Sequence, residues 1–200
     1  MTVVDKRWYV IYVKFRREAQ AKQALESMGI ETIVPIENRL IRRGKKWIRQ
    51  PYVLFPEYVF IHIRFDWKLF ARIMNISHVI YMLGRFTETD DEDDEDDFSD
   101  AIKKSKPKKT KLQTFEPVPL TQYEEKLLIK ERKLFEEPPT IRLNDDGSCE
   151  VLTKGFKRIK ILKIDRHARR VTFLITIAGN KMEFTMSFIK ADDDSATKAE

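Results

Sequence analysis

Cysteine is nearly absent from this chain of 200 residues: Cys149 stands alone, so no disulfide can form within it. The three histidines, His62, His78 and His167, sit in separate stretches, and none has a cysteine or carboxylate at zinc-ligand spacing. Glycine is scarce, with six residues, and none of them builds a Gly-x-x-x-x-Gly-Lys-Ser/Thr phosphate loop. No apolar run is long enough to span a bilayer, and Met1 to Arg7 is expected to run straight into a strand. These absences lead us to expect a cytoplasmic protein with no cofactor, no metal and no membrane contact. Catalysis is not expected either. The lone thiol has no neighbouring base, and the carboxylates crowd into a tract too flexible to hold reacting geometry.

Aromatic residues and positive charge are what the chain does have. Tyr52 to Ile63 reads Tyr-Val-Leu-Phe-Pro-Glu-Tyr-Val-Phe-Ile-His-Ile, the composition of a strand with a proline in its middle. Proline donates no backbone hydrogen bond, so Pro56 is expected at a bulge, an edge or a strand start. Beyond it, Val59, Ile61 and Ile63 point one way and Tyr58, Phe60 and His62 the other. If helices cover only the first face, Phe55, Tyr58 and Phe60 remain as an aromatic docking patch. The alternative is a strand buried on both sides.

Net charge is +6, and one unbroken acidic run, Asp90 to Asp97, pulls it down. Residues 1–86 carry 16 Lys and Arg against 7 Asp and Glu, and residues 149–190 carry 10 against 3. Two basic modules suggest contact with a polyanion, nucleic acid first.

The order of elements follows from local signals. Arg16 to Met28 has apolar residues at helical spacing, closed by Gly29. Ile30 to Ile36 reads as a strand, and Glu37 to Gln50 as a hairpin with Arg42, Arg43, Lys45 and Lys46 around Gly44 at its tip, either phosphate-binding or merely solvated. Asp66 is placed to cap a helix buried through Leu69, Phe70, Ile73 and Met74. Val79 to Leu83 returns as a strand, giving an α+β layer of four strands with helices on one face. Residues 86–114 read as a disordered charged insert. Thr121 and Glu124 have capping-box spacing, opening a helix with a stripe of Tyr123, Leu127 and Leu134 that closes a domain over 1–135. Residues 136–148 read as a linker, 149–190 as a small closed β-barrel, and 191–200 as a frayed tail.

An N-terminal Trp8-Tyr9 strand, a helix, then Leu54-Phe55-Pro56-Glu57-Tyr58-Val59-Phe60 resembles the N-terminal domain of the NusG family of transcription elongation factors. Trp67 to Val79 is similar to that domain's second helix and following loop, and Lys163 to Val171 resembles the first hairpin of the family's KOW barrel. The resemblance implies an NGN-type four-stranded antiparallel sheet with helices, followed by a small five-stranded SH3-like β-barrel. It also implies docking on the clamp helices of the RNA polymerase largest subunit through Trp8, Tyr9, Phe55, Tyr58 and Phe60. Contact with the non-template DNA strand falls on Arg72, Asn75, Ile76, Ser77 and His78. The barrel's implied partner is a ribosomal protein, a termination factor or RNA.

Two departures stand out: Glu57 occupies the place of the family's glycine after Phe-Pro, and Val151 to Phe156 lacks the family's Gly-Pro dipeptide. With the charged insert, they suggest a specialised paralogue, an operon-specific antiterminator. A stand-alone nucleic-acid-binding module and a translation-linked interaction protein using the barrel alone are the competing readings.

Overall fold

The computed structural model describes residues 5–44, 46–89, 112–144 and 148–191. Its first layer is a four-stranded antiparallel sheet in the order β2 (Glu31–Ile33), β5 (Tyr58–Ile63), β1 (Arg7–Val13), β6 (Val79–Met82). Helices α1 (Glu18–Ser27) and α2 (Trp67–Met74) cover one face. There Ala21, Leu25 and Ile73 pack with Tyr9, Ile11, Val59 and Ile61 in a single apolar cluster. Both helix ends are built as the sequence implies. Asp66 accepts from the Leu69 N–H at 3.2 Å. Gly29, at φ 76, lets the Ile30 N–H reach the Leu25 carbonyl at 3.1 Å and close α1 in a Schellman turn.

Strands β3 (Ile36–Arg43) and β4 (Lys46–Val53) form a separate two-stranded hairpin. The expected bulge at Pro56 is instead the turn that joins β4 to β5. The Tyr58 N–H donates to the Phe55 carbonyl at 3.2 Å, with Pro56 and Glu57 at the two central positions. Glu57 has φ 71, the left-handed conformation that the third residue of a type II turn requires. Three bonds hold it there: its N–H donates to Glu18 Oε1 at 2.8 Å, its carbonyl accepts from the Val13 N–H at 2.8 Å, and its carboxylate accepts from the Tyr12 hydroxyl at 2.7 Å.

The charged stretch is more ordered at its edges than its composition suggests. Residues 84–89 (β7) pair with 112–117 (β8) as an antiparallel ribbon, while the eight-residue acidic run lies outside the described residues. Thr121 opens the next helix with a complete capping box, its N–H donating to Glu124 Oε2 at 2.7 Å and its hydroxyl accepting from the Glu124 N–H at 3.3 Å. The helix is broken into α3 (Gln122–Glu125), a π-helical turn (Lys126–Lys130) and α4 (Lys133–Glu136). The extra residue in the wide turn shifts the side-chain phase. Consequently Tyr123 is exposed, and the buried residues are Glu124, Leu127, Leu128 and Phe135.

The segment 136–148, expected as a linker, contains a strand, β9 (Thr140–Leu143). It pairs antiparallel with β10 (Cys149–Val151) and parallel with β14 (Ile189–Lys190). A second sheet orders β11 (Lys160–Asp165), β12 (Arg170–Ile177) and β13 (Asn180–Ser187) as an antiparallel meander. The alternation in sequence is correct here: Val171, Phe173, Ile175 and Ile177 are buried with Met182, Phe184 and Met186. Closure is not. The two three-stranded sheets are open and do not join into a five-stranded barrel.

Candidate functional site

Residues paired across β1 and β5 share a face, so Trp8, Val10 and Tyr12 stand beside His62, Phe60 and Tyr58 on the side away from the helices. Tyr9 is one residue out of phase. It lies on the helix side in contact with Phe65, ring centroids 5.8 Å apart, so it cannot share a docking surface with Trp8.

The far face is not open along its length. Trp8, Val10, Leu54, Phe55, Phe60 and Leu83 belong to the same apolar cluster as Phe135, Phe156, Phe173 and Phe184. Phe55 contacts Phe60 at 6.1 Å and Phe184 at 5.2 Å, and Phe184 continues to Phe173 at 5.3 Å and Phe135 at 5.8 Å. Of the five candidate docking residues, Trp8, Tyr9, Phe55 and Phe60 are buried, and only Tyr58 is partly exposed. The expected free patch is therefore corrected to a sheet buried on both sides, with the C-terminal unit as its second cover.

One end of the face escapes that cover. Tyr12 lies 5.1 Å from Tyr58 and 5.0 Å from Tyr81, a ring cluster beside the Glu57 carboxylate. That carboxylate accepts the Tyr12 hydroxyl and pushes its pKa up to about 12. Burial, followed by Tyr81 and Glu57, raises that of Tyr58. From Tyr81 and Leu83 an apolar groove of about 670 Å³ runs past Trp67, Phe70 and Phe115 and reaches Asn180 of the C-terminal unit. Tyr12 was legible in the alternation that starts at Trp8; Tyr81 left no such signal.

A polar seam accompanies the rings. Ser187, fully buried, accepts from the Leu40 N–H at 2.8 Å and from Arg170 at 2.8 Å, and its own N–H donates to Glu37 Oε2 at 3.2 Å. Glu37 also pairs with Arg39, which donates to the Thr185 carbonyl at 3.2 Å. Burial, with Arg39 beside it, pulls the pKa of Arg170 below its ordinary value. The Ala178 N–H donates to Glu124 Oε1 at 3.1 Å.

The nucleic-acid candidates lie in two places. At the end of α2, Arg72, Asn75 and Ser77 are exposed and His78 is half-buried, its carbonyl accepting from the Lys14 N–H at 2.9 Å. At the β3–β4 tip, Arg42, Arg43 and Lys46 are exposed, and Lys45 lies outside the described residues. Arg42 donates to the Gly44 carbonyl at 3.1 Å, and further down the hairpin Trp47 stacks under the Arg169 guanidinium at 4.6 Å. Among the described residues no group of three His, Cys, Asp or Glu side chains is placed to hold a metal ion, and no helix is long and apolar enough to cross a membrane.

The fold is a mixed α/β architecture in which an aromatic sheet face is accompanied by exposed basic residues at the β3–β4 tip and at the end of α2. The family model described as transcription termination factor nusG matches residues 6–94, so this N-terminal segment is similar to the NusG family. No curated protein matches it. Among solved structures, one titled "Domain interaction in Thermotoga maritima NusG" is similar, at 15% identity over 92% of this chain and 94% of that one, with a TM-score of 0.47.

Proposed function

We propose that this protein is a non-enzymatic, cytoplasmic transcription elongation factor that rides RNA polymerase through the far face of its first sheet and modulates pausing or termination. The similarity of residues 6–94 to the NusG family supports the general role. The observation that carries the docking reading is the aromatic face itself: Trp8, Phe55, Tyr58 and Phe60 form a rigid platform suited to an amphipathic helical tip, such as the polymerase clamp helices. Its cover is a separate unit of the chain, not the helices of its own layer, so polymerase binding on this reading requires the C-terminal unit to move aside. Arg72, Asn75, Ser77 and His78 then contact the non-template strand, and the freed C-terminal unit is available to a ribosomal protein, a termination factor or RNA. The charged insert and the departures at Glu57 and Val151 to Phe156 favour an operon-specific antiterminator over a general factor.

The test is binding of the full chain to core polymerase by interferometry. Tyr58→Ala, at a partly exposed ring, is expected to weaken binding at least tenfold, and Phe184→Ala, which removes a covering ring, to strengthen it. Equal binding by Tyr58→Ala and the parent would discard the docking assignment. The exposed Arg42, Arg43 and Lys46 favour one second reading, a stand-alone nucleic-acid-binding module. It requires tight, steeply salt-dependent binding to naked DNA or RNA that is lost when these side chains are neutralised.

A further inference from the structure

Away from the far face, the broken helix and the C-terminal unit meet at a second concavity, of about 400 Å³. Tyr123, Lys126, Leu127 and Glu131 line it from the helical side, and Lys154, Gly155 and Arg158 from the 3₁₀ turn that precedes β11. The two walls are held close by a glycine: a Cβ on Gly155 would lie 2.1 Å from Leu134 Cδ2, so no larger residue fits without displacing Leu134. Phe156 anchors the turn between Phe135 at 5.4 Å and Phe173 at 5.2 Å, which fixes Lys154 and Arg158 on either side of a buried ring. On the opposite wall the π turn, closed by the Glu131 N–H to the Lys126 carbonyl at 2.9 Å, sets Lys126 facing the same space.

The charge is unbalanced. Three cations line the pocket against one carboxylate, Glu131, which stands 3.8 Å from Lys126 with both side chains well exposed and so offsets little of it. No carboxylate among the described residues pairs with Lys154 or Arg158, whereas Lys22 pairs with Glu26 and Arg142 with Glu150. The run from Lys154 to Lys163 carries five cations and no carboxylate. Beside them Tyr123 offers a ring that is 56% exposed, over a floor formed by the buried Leu127. Arg158 and Lys154, with Lys126 facing them, next to an accessible ring match the two parts of a nucleotide, phosphate and base, and the volume is within the range of small-ligand sites.

We propose that this seam binds a nucleoside phosphate unit of a single-stranded nucleic acid, with Lys154, Arg158 and Lys126 on the phosphate and Tyr123 stacked on the base. Because the ligand touches both the helix and the C-terminal unit, its binding favours the arrangement in which the two are docked. This site does not depend on the polymerase reading and is distinct from the β3–β4 tip and the end of α2.

The experiment is anisotropy titration of the full chain with a fluorescein-labelled uridine octamer, repeated over a salt series. The double variant Lys154→Gln/Arg158→Gln is expected to bind at least tenfold more weakly, with the salt slope reduced by about 1.4 for two lost phosphate contacts on a single strand. Tyr123→Ala is expected to lose about fivefold or more, and Tyr123→Phe to bind like the parent. The octamer should raise the melting temperature of the parent but not of the double variant. Competition by uridine monophosphate separates the sources: displacement at the octamer's own concentration assigns the pocket to a free nucleotide, and displacement only in large excess assigns it to a strand. The proposal is overturned if the double variant binds the octamer as the parent does, or if Arg42→Gln/Arg43→Gln alone abolishes binding.

Discussion

Phe55, in the turn before β5, and Phe184, in the middle of β13, stand with ring centroids 5.2 Å apart although 129 positions separate them in sequence. This pair joins the core of the first sheet to that of the C-terminal unit. Phe184 also contacts Phe135 and Phe173, so Phe184→Ala removes three ring contacts at one buried site. The expected cost is about 3–5 kcal/mol, read as a lower urea midpoint.

The polar seam gives a second, independent handle. Ser187→Ala leaves the Leu40 N–H and the Arg170 guanidinium without their buried acceptor. A loss of about 1–3 kcal/mol in chemical denaturation is expected, although the substitution removes a single oxygen. Arg170→Met together with Ser187→Ala should cost less than the two single changes added, because the pair shares one bond.

Glu57 combines an unfavourable backbone conformation with three bonds. Glu57→Gly should be close to neutral in stability, since glycine adopts φ 71 freely while the Tyr12 bond is lost; Glu57→Val should lose about 1–2 kcal/mol because a β-branched residue resists that conformation. Ultraviolet melting of the two variants distinguishes them.

The same carboxylate sets a pH dependence. Tyr12 is raised from 10.0 to about 12, first by its hydrogen bond to Glu57. A group whose pKa is higher folded than unfolded adds stability that is complete below the unfolded value and lost as pH climbs through the folded one. The Tyr12 contribution is thus whole below pH 10 and disappears between 10 and about 12. In absorbance titration at alkaline pH, Glu57→Gln should bring one late-titrating tyrosine back toward the ordinary range.

Gly84 opens β7 at the groove floor, where an added Cβ would lie 2.5 Å from the Glu116 carbonyl oxygen and 2.4 Å from the Phe115 ring. Backbone cannot rotate out of the way as a side chain can. Gly84→Ala should therefore splay the β7–β8 ribbon and lower stability by about 1–3 kcal/mol, with faster amide exchange along 112–117 as the readout.

Much of this was legible locally. The two faces of β5 follow from alternation, and Asp66, Gly29 and the Thr121–Glu124 pair announce helix ends by side-chain chemistry alone. Pro56 was ambiguous because a bulge and a turn make the same demand on the residue; only the departure of β4 into its own hairpin decides between them. Tyr9 and Trp8 are neighbours on a strand, and the alternation that placed Phe60 opposite Val59 separates them too. The cover over the docking rings was illegible because it comes from Phe135, Phe156 and Phe184, far along the chain, and a sequence run does not state what lies above it. Strand β9 was hidden by its flanks, Pro138-Pro139 before it and the sequence Asn144-Asp145-Asp146-Gly147 after it, and by a pairing with β14 that spans most of the C-terminal unit.

That pairing has a mechanical meaning. Thr140 lies beside Ile189, so the chain enters and leaves the C-terminal unit at adjacent points, and a single covalent tether at Glu137 to Pro139 joins it to the helix before it. Cutting that tether would leave two fragments held by non-covalent contacts, among them the ring cluster, the Ser187 seam and the Glu124–Ala178 bond, and the dissociation constant between them would report directly how tightly the C-terminal unit sits on the sheet.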